Sequence, residues 1–361
     1  MLYDGPKWKE NWERTEEHYE RWWNHAGPIL TLSGLSPPDR PRDDTPPPPP
    51  PTSPRQKHTD PDYFAQSQRA GLARCRFPAD NLPIAHTDYG CLQLATYFGS
   101  EPEFQDDTVW YEDSIGEPDE SPPLSLTKTE PWWQAYKRVM LKVKELSKGD
   151  FLVGMPAFGS NLDVLAELRG TQNLLFDLVD RADWVSRTLE EINRAFFVAF
   201  DDYYEHIRLS DGSSTYAYFS IWGPGKVSQV QCDFAAMISP AMFEEFVVPA
   251  LARQCEWLDL SLFHLDGPSC ICHLDHLLAV DHLDAVQWTP GAGQPGAGDA
   301  KWYYLYRRII DAGKSVQILG TDVDEAKRVL DTFGGNGIYL SVSVNSEAEA
   351  NDIISLVDSM R

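Results

Sequence analysis

The chain contains no run of roughly 20 uninterrupted apolar residues, the length that a bilayer-spanning helix needs. Its start, MLYDGPKWKENWERTEEHYERWW, also lacks the apolar core of a secretory signal. These two absences predict a cytoplasmic protein with no membrane partner. Cysteine is scarce: the six thiols (Cys75, Cys91, Cys232, Cys255, Cys270, Cys272) are too few to staple 361 residues, which agrees with a reducing compartment. Positive charge is in deficit, with 31 Lys and Arg against 55 Asp and Glu for a net charge of −24. No basic patch offsets it, so phosphate-rich partners such as nucleic acid are excluded. Apolar residues are not scarce. At 42% they suffice for the core of one large α/β domain.

Residues 1–36 read as an N-terminal helix and a first strand. The proline-rich stretch PPDRPRDDTPPPPPPTSP opens a segment (37–56) with few apolar side chains, which predicts an exposed polyproline or disordered insertion. Residues 57–361 complete the same domain. Short apolar runs alternate there with long amphipathic stretches: LPIAHTD (82–88), FLVGMP (151–156), TYAYFSIW (215–222), LSLFHLD (260–266), LDAVQWTP (283–290), SVQILGTD (315–322) and GIYLSVS (337–343). With GPILTLSG (27–34) they make eight strands, each followed by helix. The pattern predicts a single-domain (β/α)8 TIM barrel with a Pro-rich surface insertion, a doubly wound open sheet being the alternative. In a barrel the site lies at the strands' C-terminal ends.

The stretch SLFHLDGPSCICHLD places His264 and Asp266 two apart on a strand, so both side chains point to one face and can reach one ligand. Cys270 and Cys272 follow the Gly267-Pro268 turn on a segment expected to be helical, where residues two apart diverge. They read as structural thiols, and His273 and His276 as surface residues. Cys232 and Asp233 in QCDF sit on another strand-end loop, where Cys232 could complete a metal site with His264 and Asp266. Trp222 and Trp288, just past strands, would supply flat apolar walls, and Gln287 and Gln317 neutral polar contacts to a small-molecule substrate. GAGQPGAG (291–298) lacks the Lys-Ser/Thr of a phosphate loop and reads as a lid.

The segment VQCDFAAMISPAMFEEFVVPALARQCEWL followed by SLFHLDG, with HTDYGCLQLATYFGSEPEF and FLVGMPAFGSNLDVLAELRG, resembles the uroporphyrinogen decarboxylase superfamily from Pro83 to the C-terminus. That superfamily includes the haem-pathway decarboxylase and zinc methyltransferases that move methyl groups between corrinoid proteins and thiols. The resemblance implies a (β/α)8 barrel. It makes Asp88 the counterpart of the decarboxylase's aspartate. The decarboxylase's arginine motif has no counterpart here, its tyrosine falls at Ala166, and its late histidine is missing from GIYLSVSVN. The methyltransferases' His-x-Cys ligand pair becomes His264-x-Asp266, and their distant cysteine falls within Ser343-Val344-Asn345. A harder oxygen ligand shifts preference from thiolate activation toward oxygen-bearing substrates. The expected function is methyl or other one-carbon transfer, with a divalent metal such as zinc, a corrinoid protein as candidate partner and a homodimer as an open option. Catalytic candidates are Asp88, Asp233, His264 and Asp266. The alternatives are a metal-free decarboxylase using Asp88 or Asp233, and a non-catalytic small-molecule-binding barrel.

Overall fold

Continuous Val/Ile/Leu runs suit strands that are covered on both faces, and this chain uses them so. The computed structural model describes residues 5–361. Six strands form one parallel sheet in the order Ile29–Ser33, Ile338–Ser343, Ser315–Thr321, Ala285–Thr289, Leu260–Asp266 and Val227–Gln231. A separate parallel pair joins Ile84–Ala85 to Leu152–Val153. Among the described residues there are 13 α-helical segments, and no helix is long and apolar enough to cross a membrane.

The expected eight-stranded ladder is therefore found as a central sheet and a detached pair. Side chains and single bonds span the two gaps. Asp80 and Asn81, just before Ile84, accept the Leu30 and Leu32 amides at 2.9 and 2.8 Å. On the other side Met155 N donates to Thr215 O at 2.7 Å, and Ser214 Oγ donates to Gly225 O at 2.7 Å.

The run at 215–222, expected as one strand, is a hairpin instead. Ser214–Tyr216 turns through Ser220, whose φ of 50° is left-handed, and returns antiparallel as Ile221–Gly223. The Gly223-Pro224-Gly225 turn then releases the chain into Val227–Gln231, the strand that joins the sheet. At Gly225 φ is 76° and a Cβ would strike Asp259, so no other residue fits there.

Register places one polar rung across the sheet: Gln231, His264, Gln287, Gln317 and Tyr339 stand side by side. Residues on one rung share a face, so these five point to the same side. One pleat further on, Asp266 pairs with Thr289.

The helix Trp12–Trp23 covers the sheet through Trp12, Tyr19, Trp22 and Trp23, all buried. Its polar tips are satisfied: Trp22 Nε1 donates to Gly337 O at 3.1 Å and Trp23 Nε1 to Trp222 O at 2.9 Å.

The proline-rich segment runs from 37 to 53 without helix or strand. It is tethered rather than free, because Asp43 pairs with the buried Arg69, Arg42 N donates to Ala73 O at 2.8 Å, and Gln66 Nε2 donates to Pro46 O at 2.9 Å. Helix begins at Pro54, inside the expected insertion, with Ser53 as N-cap and proline at the first position. Excising only Pro47–Pro51 should shift the melting temperature by less than about 2 °C, since that stretch buries little apolar surface. Excising Pro37–Pro51 also removes Asp43 and should lower it by more than about 3 °C. Equal shifts in the two deletions, read by scanning fluorimetry, would show that the tether contributes nothing.

Candidate functional site

His264 and Asp266 are both half-buried at the C-terminal end of the Leu260–Asp266 strand, and their spacing of two puts them on one face. Asp233 opens the short 3-10 helix Asp233–Met237 that follows the neighbouring strand. One ligand-type atom from each of Asp233, His264 and Asp266 lies within 4.8 Å of the others.

Surrounding residues fix this trio. Asp163, buried on the helix Asn161–Arg169, accepts the backbone amides of Asp233 at 3.0 Å and Phe234 at 2.8 Å, which pins the start of the 3-10 helix. Gln231 Nε2 spans Asp163 and Asp233 at 3.1 and 3.2 Å. Gln287 donates its amide to Thr289 Oγ1 at 3.0 Å, which turns its oxygen to His264 Nδ1. An amide oxygen only accepts, so that nitrogen carries the proton and the lone pair of His264 Nε2 stays free.

Electrostatics favour a cation here. Asp233 keeps an open side for a ligand, yet the protein around its carboxyl, then the charges of Asp163 and Asp266, push its pKa up to about 7. Burial raises Asp163 as well. Burial also lowers His264, against the pull of Gln287 and Asp266, which favours the neutral imidazole a metal requires. Crowded carboxylates beside a neutral imidazole with its other nitrogen hydrogen-bonded match the donor set of a divalent ion.

Other expectations need correction. Cys232 lies outside the trio: it is the residue before the 3-10 helix, 2% exposed, and burial raises its thiol far from thiolate. Asp233 takes its place. Trp222 faces the N-terminal helix, edge-on to Trp12 at 5.5 Å, because it lies on the returning arm of the hairpin. Trp288 is fully buried against Trp302 at 4.9 Å; adjacent to Gln287 on a strand, it must point to the opposite side. Gln317 is fully buried, its Nε2 donating to Phe219 O at 2.8 Å and holding the hairpin turn, while Phe219 packs on the His264 ring at 5.1 Å. Cys270 is buried with its thiol pushed up to about 12, first by that burial, and Cys272 is exposed. His273, expected at the surface, is buried on Phe243 with Nε2 against Ala235 O at 2.9 Å. The GAGQPGAG loop is held at its second half, where Trp302 Nε1 donates to Gly296 O at 3.1 Å.

Asp88 is half-buried in a cleft of about 460 Å³ that also takes in Cys91, Glu167 and Tyr218. The Cys91 thiol is raised to about 11, first by the protein around it and then by Asp88, with Asp233 and Asp163 adding to it. Cys91 thus lies between Asp88 and Asp233. Asp163, Cys91, Glu167 and Tyr218 carry no motif of their own in the sequence; only a pairing across some 70 positions reveals Asp163.

No protein-family profile and no curated protein sequence matches this chain. Solved structures do, 13 chains in all. One is a methyltransferase from Methanosarcina mazei, with a TM-score of 0.58 and 12% identity, covering 96% of this chain and 98% of that one. At such identity the likeness is one of fold.

Proposed function

We propose that this protein is a methyltransferase-like enzyme that moves a one-carbon group to or from a small organic molecule, on a (β/α)8 barrel of the uroporphyrinogen decarboxylase type. The observation that carries this is the convergence of Asp233, His264 and Asp266 within 4.8 Å at the end of the strands. A fold shared with a protein named as a methyltransferase supports it, and so do the hydrogen bonds across both gaps of the sheet. The two carboxylates and His264 Nε2 would hold a divalent ion such as zinc. When bound, that ion supplies Lewis-acid polarisation of a substrate oxygen, which an oxygen-rich donor set suits better than thiolate activation. Gln287 keeps the imidazole oriented, Asp163 keeps Asp233 in place, and Asp88 faces the cleft as a proton acceptor. A corrinoid protein is the proposed one-carbon carrier. The decarboxylase reading finds less support, because no Lys or Arg lines the cleft to bind a carboxylated substrate.

The test is transfer of an isotopically labelled methyl group from methylcobalamin to a panel of small alcohols, amines and thiols. The zinc-loaded protein should form cob(I)alamin and a labelled product, and the metal-free protein should not. Full metal occupancy with no label moved to any acceptor would instead support a binding barrel.

Ligation needs an ionised Asp233, so metal affinity should fall as pH drops through about 7. Between pH 8 and pH 6 the ionised fraction changes about tenfold, and zinc affinity by calorimetry should follow it. Asp233→Asn should flatten that profile; an unchanged slope in the variant would assign the proton to another group.

A further inference from the structure

The cleft around Asp88 has a composition that metal binding at the Asp233, His264 and Asp266 trio does not require. Tyr89, Trp110, Tyr111 and Tyr218 form its walls, Asp88, Asp107 and Glu167 supply its charge, and no Lys or Arg lines it. Lys57, which reaches the rim, is 3.7 Å from Asp107. Two of the aromatic faces are open to solvent, with Trp110 62% and Tyr218 52% exposed, against the usual burial of large rings. Deeper in, Tyr89 is 1% exposed and its hydroxyl has no hydrogen-bond partner. Stacking on Tyr136 at 4.3 Å and contact with Phe64 at 5.6 Å hold its ring, so the hydroxyl cannot swing away to find one. Asp88 Oδ2 is likewise buried without a hydrogen bond, its nearest charged neighbour being the His86 ring at 3.7 Å. An unpaired buried oxygen is costly, which makes the Tyr89 hydroxyl a ready partner for a ligand donor, beside an Asp88 carboxylate held only by the distant His86 ring.

Ligand classes can be separated on these features. An anion would meet three acidic side chains and no Lys or Arg in the lining. A bare metal ion has no use for aromatic walls, and a neutral apolar molecule has none for the acids. Ring faces combined with carboxylates are what an alkylammonium or similar onium group selects, through its charge and its polarised methyl groups.

We infer that this cleft binds a small organic cation, with the onium head between Trp110 and Tyr218 and its charge toward Asp88 and Glu167. Binding itself does not depend on the proposed one-carbon chemistry; only naming the cation as the substrate rests on that reading. A hydroxyl or ether oxygen on such a molecule would then be free to face the Asp233, His264 and Asp266 trio.

Calorimetry on the full chain with choline and with 3,3-dimethyl-1-butanol, its uncharged isostere, tests the inference. Choline should bind with Kd of about 1 mM or tighter, and about tenfold more tightly than the isostere. Glu167→Gln should weaken choline by about fivefold while leaving the isostere unchanged, and Trp110→Ala should weaken choline by about fivefold more than it weakens the isostere. Asp88→Asn serves as the replacement should either variant lose melting temperature. Equal affinity for the two probes, no choline binding at that level, or variants that leave choline affinity intact would each overturn the inference. Zinc stoichiometry measured on the same samples separates the two proposals. Intact zinc with no choline preference sinks the cation cleft alone, and choline binding without zinc sinks the metal centre alone.

Discussion

His264→Ala is expected to lower zinc affinity by about 100-fold or more, and Asp266→Ala to do the same, with melting temperatures of the metal-free proteins little changed. Each change removes one of three donors: among the described residues the ligand atoms of Asp233, His264 and Asp266 are the ones that lie within 4.8 Å of each other, and the Asp163 carboxylate beside them is taken up by the Asp233 and Phe234 amides. Gln287→Leu removes the acceptor that orients His264 and should cost about tenfold, the range found when an outer hydrogen bond to a ligating histidine is lost. Cys232→Ser and the double change Cys270→Ser with Cys272→Ser should keep one zinc per chain and cost stability only, since burial pushes the Cys232 and Cys270 thiols far above neutrality and the exposed Cys272 lies outside the trio. Competition calorimetry reads all of these. Loss of zinc in the cysteine variants with retention in Asp266→Ala would move the site to the thiols and restore the thiolate-zinc reading.

Asp80→Ala should be the most damaging single change to the fold. Asp80 is fully buried and accepts from Leu30 N at 2.9 Å and His18 Nδ1 at 2.6 Å, and it pairs with Arg361. It therefore ties the first strand, the N-terminal helix and the chain's last residue to the segment leading into Ile84–Ala85, across a gap that no ladder closes. Removing the carboxylate leaves the His18 imidazole and the Leu30 amide without their acceptor and takes from the buried Arg361 one of its two carboxylate partners, Asp358 at 2.8 Å being the other, a loss of roughly 3–5 kcal/mol. That corresponds to a fall in melting temperature of roughly 4–7 °C for a chain of this size. Asp80→Asn, which retains an acceptor oxygen, should fall between. A shift below about 2 °C for Asp80→Ala would show that the seam is held elsewhere.

Period-two spacing made the His264 and Asp266 pair legible, because it depends only on local strand geometry. The same rule separates Gln287 from Trp288: adjacent strand residues point opposite ways, so the two could never have shared a pocket. Trp222 misled for a different reason. TYAYFSIW looks like one buried strand, and nothing local reveals that Ser220 adopts a left-handed φ and folds the run back on itself. Asp233 was legible as an acid at a strand end but not as a ligand, since choosing it over Cys232 depends on how the 3-10 helix begins. Asp163 fixes that start from another helix, through bonds that join positions 70 apart. Such long-range partners leave no periodic trace. The alternation of strand and helix predicted eight strands of one barrel; five of them lie in the six-stranded parallel sheet, while its sixth, Val227–Gln231, and the break before the Ile84–Ala85 pair, which side-chain bonds from Asp80 and Asn81 span, left no local signal.

The central claim is that the chain carries a divalent cation on Asp233, His264 and Asp266. Anomalous diffraction from crystals grown with zinc, recorded on both sides of the zinc edge, tests it most directly. The account predicts one strong peak per chain, about 2.0–2.2 Å from His264 Nε2 and from a carboxylate oxygen of each aspartate. A peak on Cys232, Cys270 or Cys272, or no peak at the trio in zinc-saturated crystals, would contradict it.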